Sequence, residues 1–272
     1  MLYFLISMIS CIFIHSCVQG SFEDDFNLVE VEGVVVKGSL FYECKRLYED
    51  YRQYGICTDE YQIPQNIHFI WLGSPLPKRC AELIESWRLF HPDWNIKVWT
   101  DQDVDSFNLI NKAAFKKASN YGQKSDIWRY EILYRYGGLY VDTDFECLAK
   151  FDELHKSCEF YAGIGRDGIA VYNGLIGSRP NHPIIFACIN QLKPSSRQRN
   201  YEQIMRETGP YSLGKIIESY GSKCMIGTVA IFPPIYFYPF PGHYRNDSSK
   251  DPCDFITSES MAIHYWACSW QK

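Results

Sequence analysis

Apolar and polar positions along the chain change period several times. Leu40 to Tyr54 carries apolar residues at helical spacing among many charges, which predicts an amphipathic surface helix. Asn66 to Leu72 is a short apolar run closed by Gly73, the form of a strand covered on both faces. Lys78 to Phe90 returns to helical spacing and stops before His91-Pro92, and Ile96 to Trp99 predicts a second strand. Asp101 is placed to cap a third helical stretch, and Ser125 to cap a fourth that runs to about Tyr136, where Gly137-Gly138 ends it. Leu139-Tyr140-Val141 is then a third buried strand, and it terminates in acid. Strands alternating with helices argue for an α/β domain, with a mostly parallel central sheet and helices on both faces.

The second half is less regular. Phe160 to Ile164 and Ala170 to Gly177 read as strands, and His182 to Leu192 and Tyr211 to Tyr220 as helices. Proline-rich Phe232 to Gly242 reads as loop, because proline cannot donate to a central ladder. Residues 21–39, acidic and β-branched without clear period, predict a stem or an edge strand. Met1 to Ile14 is nearly all apolar, and no Lys or Arg precedes Lys37. That stretch is short for a bilayer-spanning helix, which needs ~20 residues, and suits a signal peptide with Val18-Gln19-Gly20 as the cleavage site; a short anchor comes second. The expected organisation is a signal peptide or anchor over 1–20, stem and amphipathic helix over 21–62, and one catalytic domain over 63–272.

Composition narrows the classes of function. The formal net charge of −5 and the absence of a dense basic face argue against a nucleic-acid partner. Aromatic residues make up 16% of the chain, enough for stacking surfaces besides a core. Of eleven cysteines, Cys11 and Cys17 fall in the leader, and the odd remainder leaves at least one thiol unpaired. Cys44 with Cys57 and Cys253 with Cys268 are candidate disulfides for an oxidising lumen, with scattered buried thiols as the alternative. Asn246-Asp247-Ser248 is an N-glycosylation sequon compatible with a secretory route.

The chemistry concentrates at Asp142-Thr143-Asp144. Ligands of open α/β sheets bind outside the carboxyl ends of the strands, where this acidic pair stands. Two carboxylates where a strand turns into a loop can share one cavity, and hard oxygen ligands select Mg²⁺ or Mn²⁺. An Asp-x-Asp alone is weak, since solvated loop acids are common, but an apolar strand has no need of two terminal carboxylates. On the preceding helix, Asp126 and Arg129 share a face at i and i+3. An ordinary local ion pair and a phosphate- or sugar-binding pair are both open on spacing alone.

The run Ser125-Asp126-Ile127-Trp128-Arg129-Tyr130, followed by Tyr136-Gly137-Gly138-Leu139-Tyr140-Val141-Asp142-Thr143-Asp144, resembles the signature of the DXD sugar transferases, glycosyltransferase family 32. That family includes Golgi α-1,6-mannosyltransferases and α-1,4-galactosyltransferases, and the glucosylating domains of clostridial toxins carry a related signature. Ile63 to Trp71 is similar to its opening strand and His264 to Trp270 to its closing block, so the resemblance covers roughly 63–270. It implies a GT-A fold and a retaining transferase that moves a hexosyl group from a nucleotide-sugar, GDP-mannose or a UDP-hexose, with Mn²⁺ or Mg²⁺. The acceptor would be a glycan, glycolipid or protein hydroxyl, and the setting the Golgi lumen, with membrane association through the amino-terminal segment. By matched position, Trp71 would pack near the base, Asp126 and Arg129 would hold donor sugar and phosphate, and Tyr140 would line that pocket. Asp142 would touch ribose or sugar hydroxyls and Asp144 would ligate the metal, with His264 or Ser269 as a further metal contact and Trp270 as a lid. For His264 a core histidine is an equal reading, and Asn173, matched to a position facing the donor sugar, could be a turn residue. A metal-dependent phosphodiesterase and a non-catalytic lumenal sugar-binding protein on the same fold are the alternatives.

Overall fold

The computed structural model describes residues 21–27, 37–118, 120–192, 200–220, 223 and 225–267. The predicted leader lies outside them, and among the described residues no helix is long and apolar enough to cross a membrane.

Six strands build the central sheet: β1 (Asn66–Ile70), β2 (Asn95–Trp99), β3 (Gly138–Val141), β5 (Phe160–Ile164), β6 (Val171–Ser178) and β7 (Val229–Phe232), in the order β2-β1-β3-β6-β5-β7. β1 runs parallel to β2 and β3, and β5 parallel to β7, while β6 is antiparallel to both its neighbours. The sheet is therefore mostly parallel, with one reversed strand in the middle. A two-stranded sheet missed by the sequence reading pairs β4 (Phe145–Cys147) with β8 (Ala262–His264).

Helices cover both faces, as the doubly buried strands require. Alternate residues of a strand point to opposite sides. On β5, Phe160 stacks on His182 at the start of α8 (Pro183–Gln191), and Tyr161 packs on the opposite side against Phe151 and Phe237. On β1, Phe69 meets Trp87 of α3 (Lys78–Phe90), and His68 meets Tyr136 of α6 (Tyr121–Tyr136). Helix α2 (Ser39–Tyr54) buries Leu40, Phe41, Cys44, Leu47 and Tyr48, the stripe that its spacing predicts, and packs against β7. Phe22 and Phe26, on a short helix α1 (Phe22–Asn27) where an edge strand or stem was expected, join the same core.

Two helix starts differ from expectation. Helix α4 (Asp101–Phe107) is capped by Thr100 in a capping box with Asp103, not by Asp101. Helix α6 begins a full turn before Ser125: the Asn120 side chain accepts the N–H groups of Gly122 (2.7 Å) and Gln123 (3.2 Å). The helix is buried nearly all round. At its far end Gly138 adopts φ +104°, and a Cβ there would lie 2.5 Å from the Asn66 carbonyl, so only glycine lets β3 lie against β1. Proline-rich 232–242 also holds order of its own, a one-turn helix, α11 (Pro234–Phe237). The remaining helices are α5 (Lys112–Lys117), α7 (Asp152–Ser157), α9 (Tyr201–Glu207) and α10 (Pro210–Tyr220).

The predicted Cys44–Cys57 disulfide is absent: Cys44 is a free buried thiol on the core face of α2, while Cys57 is exposed and donates to Glu153. Cys253 is a free, exposed thiol, and its expected partner Cys268 lies outside the described residues.

Two predictions follow from this architecture. Asn120→Ala should destabilise the protein by about 1 kcal/mol, a fall of roughly 2–4 °C in melting temperature, whereas Ser125→Ala should leave the melt unchanged. The second concerns acid. Burial pushes the His68, His155 and His182 imidazoles down to about 4, about 3 and about 3. The unfolded chain takes up those protons near pH ~6.5 while the folded protein does not, so stability is full above that pH and is lost as pH falls toward ~4, by up to ~1.4 kcal/mol per unit per histidine. His182→Asn, which keeps an acceptor for the Ile184 N–H, should shallow the slope of unfolding free energy against pH, read by urea melts.

Candidate active site

A cleft of about 430 Å³ opens at the carboxyl ends of β1 and β3, lined among others by Trp71, Asp126, Arg129, Tyr140, Asp142, Asp144, Asn173 and His264. The structure thus gathers every predicted site residue that it describes into one cavity. Ser269 and Trp270 lie outside the described residues.

Asp142 and Asp144 flank Thr143 in the short turn between β3 and β4. Ligand atoms of Asp142, Asp144 and His264 all lie within 4.8 Å of one another. His264 reaches the pair because β8 adds to β4 with Phe145 opposite His264, and its ring stacks on Phe145 at 4.3 Å. His264 Nε2 is 3.0 Å from Asp144 Oδ1, and Asp144 Oδ2 accepts the Ala267 N–H at 2.8 Å. His264 is thus no ordinary core histidine, although it ends a buried strand. Gly174 makes room for Asp142, since a Cβ there would come within 2.8 Å of Asp142 Oδ2.

Behind the acids lies a buried guanidinium. Arg129 sits 3.3 Å from Asp142 Oδ1 and 3.0 Å from Asp126 Oδ1, and it donates to the carbonyls of Asn173 (2.5 Å) and Ser125 (3.3 Å). Its Cζ lies 4.5 Å above the Tyr140 ring, whose hydroxyl donates to Asp142 Oδ1 at 2.7 Å. The Arg129–Asp126 pair is therefore not a surface ion pair. It spans the second and third turns of α6, away from the helix amino end that a bound phosphate would favour. Asn173 is on β6, not in a turn, and its amide donates to Asp126 (2.9 Å) and Tyr130 (3.3 Å).

Electrostatics set the two acids of the pair apart. Burial raises the Asp142 carboxyl above the ordinary carboxylate range against the pull of Arg129, and the Asp144 charge pushes it the same way. Burial also acts on Asp144, but the attraction and hydrogen bond of His264 and the Ala267 N–H outweigh it and hold its pKa below that range. Burial likewise raises Asp126, opposed by Arg129 and the Thr208 hydroxyl.

Several residues at or behind the cleft carried no sequence signal. Thr208, behind the cleft, donates to Asp126 Oδ2 at 2.8 Å from 82 positions away. Tyr172, Tyr238 and Trp266 come from three separate segments, and Tyr201 and Met205 from α9. Gly73, at φ +82°, leaves space for the Tyr121 ring beside Trp71; a glycine directly after a strand was the one available hint.

Residues 77–161, which include Asp126, Arg129, Asp142 and Asp144, match the family model described as the glycosyltransferase sugar-binding region containing the DXD motif. Over 161 residues the chain is 31% identical to inositol phosphoceramide mannosyltransferase 1 of Schizosaccharomyces pombe, across 56% of this chain and 50% of that protein. Over 184 residues it is 31% identical to the mannosyl phosphorylinositol ceramide synthase SUR1 of Saccharomyces cerevisiae, across 64% of this chain and 47% of that protein. The chain spans about half the length of the curated relatives it matches. Its fold is similar to that of the PaToxG glycosyltransferase, with a TM-score of 0.51 at 20% identity over 74% of this chain and 78% of that one. The chain thus has a GT-A fold, and its residues 77–161, with the acidic pair at the expected strand end, are similar to the glycosyltransferase sugar-binding region containing the DXD motif.

Proposed function

We propose that the chain is a retaining, metal-dependent glycosyltransferase that moves a hexosyl group from a nucleotide-sugar to an acceptor hydroxyl. The observation that carries this reading is the convergence of Asp142, Asp144 and His264 in front of buried Arg129, at the strand end matched by the family model.

The residues present suit a hard divalent cation. Two carboxylates and an imidazole offer oxygen and nitrogen donors, which Mn²⁺ accepts together and Mg²⁺ accepts chiefly through the carboxylates. Among the described residues Arg129 is the one arginine or lysine paired with Asp126 and Asp142, and Asp144 pairs with none, so the ionised cluster carries surplus negative charge. Asp144 and His264 would hold the ion, with Ser269 as a further candidate. Bound there, the ion supplies Lewis-acid neutralisation of the departing diphosphate.

The chain's own residues then have distinct tasks. Arg129, whose N–H groups are largely committed to protein partners, fixes Asp126 and Asp142 and provides a positive potential that needs no reorganisation as charge shifts. Tyr140 holds Asp142 through its hydroxyl, leaving Asp142 Oδ2 toward ribose or sugar hydroxyls. Asn173 orients Asp126, which lies at the donor sugar. Trp71, half-buried in the cleft lining, would pack near the base, and Trp270 is the candidate lid. No side chain stands out as a nucleophile, and same-face displacement by the acceptor hydroxyl requires none.

The relatives' names make mannose the first sugar to try, so GDP-mannose leads the donors, ahead of the UDP-hexoses, and a glycolipid headgroup leads the acceptors. The lumen of the secretory pathway is the proposed setting, supported by the apolar leader in the sequence and by the exposed position of Asn246 in the sequon. Metal-dependent hydrolysis and transfer should be measured with a panel of GDP- and UDP-sugars. Asp144→Ala should lower kcat/KM by roughly 100-fold or more without lowering the melting temperature of the cation-free protein. Full activity in that variant, or none in the wild type with any donor, would sink the reading.

A further inference from the structure

Helix α9 stands between two cavities. Tyr201, Ile204 and Met205 line the cleft, whereas Arg206, Glu207 and the following Thr208 line a second cavity of about 310 Å³. The buried part of its lining includes Gln123 and Ile127 of α6, Thr208, and Ser212 of α10, and the exposed part Arg206, Glu207 and Lys215. The transferase reading gives this space no task. We propose that it is a second ligand site, which takes a small phosphate monoester and, when filled, holds α9 in place as a wall of the cleft. The site does not depend on the transferase reading.

Three observations support it. The first is Gln123, which is 9% exposed and lines the cavity, yet its side-chain amide has no hydrogen-bond partner among the described residues. An amide taken from water and left unpaired is unfavourable, and a ligand oxygen entering the cavity would pair with its N–H groups. The second is charge. Of the three charged groups in the lining, Arg206 is paired with Glu202 at 2.9 Å, and Glu207 is engaged within the protein as well. Lys215 is left as an exposed cation with no ion-pair partner among the described residues, so an anionic group is favoured beside it. The third is α9 itself. Of its seven residues only Ile204 is buried, and a short helix held by so little packing opens readily. An occupant of the cavity would add contacts on that side. Thr208, at the carboxyl end of α9, donates to Asp126 Oδ2 at 2.8 Å, so order gained there reaches the buried Arg129 network.

The lining selects the class of ligand. Gln123 offers two N–H donors to phosphate or hydroxyl oxygens, Lys215 offers a charge to the phosphate, and Ala114, Ala118 and Ile127 offer an apolar side to a short carbon skeleton. The volume lies at the small end of the ~300–1,000 Å³ typical of small-molecule sites, which fits a compound of a few carbons better than a nucleotide. Inorganic phosphate shares the anionic group but lacks the skeleton, so an ester should bind more tightly.

The test is isothermal titration of the cation-free full chain with glycerol 3-phosphate, with inorganic phosphate and, as the uncharged control, with glycerol. The wild type should bind glycerol 3-phosphate several-fold more tightly than inorganic phosphate, and glycerol not measurably. Gln123→Leu should weaken the ester roughly tenfold or more without lowering the melting temperature, because the amide it removes makes no bond in the folded protein. Lys215→Gln should weaken it about fivefold and flatten its dependence on salt. Amide hydrogen exchange across residues 201–209 should slow when the ester binds the wild type, and should not in Gln123→Leu at the same concentration. Failure of the wild type to bind the ester would overturn the proposal. So would full binding by both variants, which would place the anion elsewhere. Inorganic phosphate binding as tightly as the ester would overturn the choice of an ester, and unchanged exchange across α9 would overturn its part as a wall held by the ligand. Ester binding by a wild type that transfers no sugar would support the site and count against the transferase reading, so the two fail separately.

Discussion

The site is organised around one buried cation. Arg129 is 4% exposed in the third turn of a helix that is itself nearly enclosed, and a guanidinium there is tolerable only if its charge and its N–H groups are met. They are met from three elements: Asp126 of the same helix, Asp142 at the end of β3, and the Asn173 carbonyl of β6. The constraint acts in both directions, since Asp126 and Asp142 are themselves raised by burial and are kept in place by the arginine. Removing one member would leave the others as unpaired buried charge, which typically costs about 3–5 kcal/mol, so the network is rigid by necessity. The reversed strand β6 matters here, because it brings the Asn173 carbonyl and amide to the centre of the sheet edge, between the acidic turn and α6.

Rigidity on the Arg129 side contrasts with the other carboxylate. Among the described residues Asp144 pairs with no arginine. Its partners are His264 and the Ala267 N–H, both from the carboxy-terminal segment, and its backbone leads into β4, which pairs with β8. The two acids are two residues apart but belong to different mechanical units, and that division explains their opposite pKa directions better than their shared turn does. A carboxylate held ionised and paired with an imidazole is suited to ligate a cation, and one locked to a guanidinium is suited to hold hydroxyls at fixed geometry.

Local rules predicted the parts of this design that repeat. The stripe Leu40, Phe41, Cys44, Leu47, Tyr48, the strands Asn66–Ile70 and Phe160–Ile164, and the Gly137-Gly138 stop were legible because each depends on neighbours a few residues away. The start of α6 was misplaced because Ser125 and Asn120 are both capping residues, and only the burial of the first turn decides between them. The cysteine pairing failed for a related reason: Cys44 faces the core at a position that spacing alone treats as free to pair. At the site, Asp142, Asp144, Asp126 and Arg129 were legible because they fall in one continuous signature. Thr208, Tyr238 and Trp266 were not, since their roles arise only when distant segments meet.

That partition has a physical reason. A group that must develop or neutralise charge needs a specific residue type at a specific strand end, and such a demand leaves a mark in the sequence. A wall that must present an aromatic face can draw it from any segment that the fold brings near. The carboxy-terminal part shows this: Tyr238 follows the one-turn helix α11, and Trp266 follows β8 in a left-handed conformation that no periodicity foretells. The charged half of the cleft is thus written in the continuous signature, and the half beyond His264 is written in the packing. Substitutions in the 232–267 segment would accordingly reshape that half while leaving the signature intact, since its contacts with the rest of the fold run through Phe145, Tyr172 and His264.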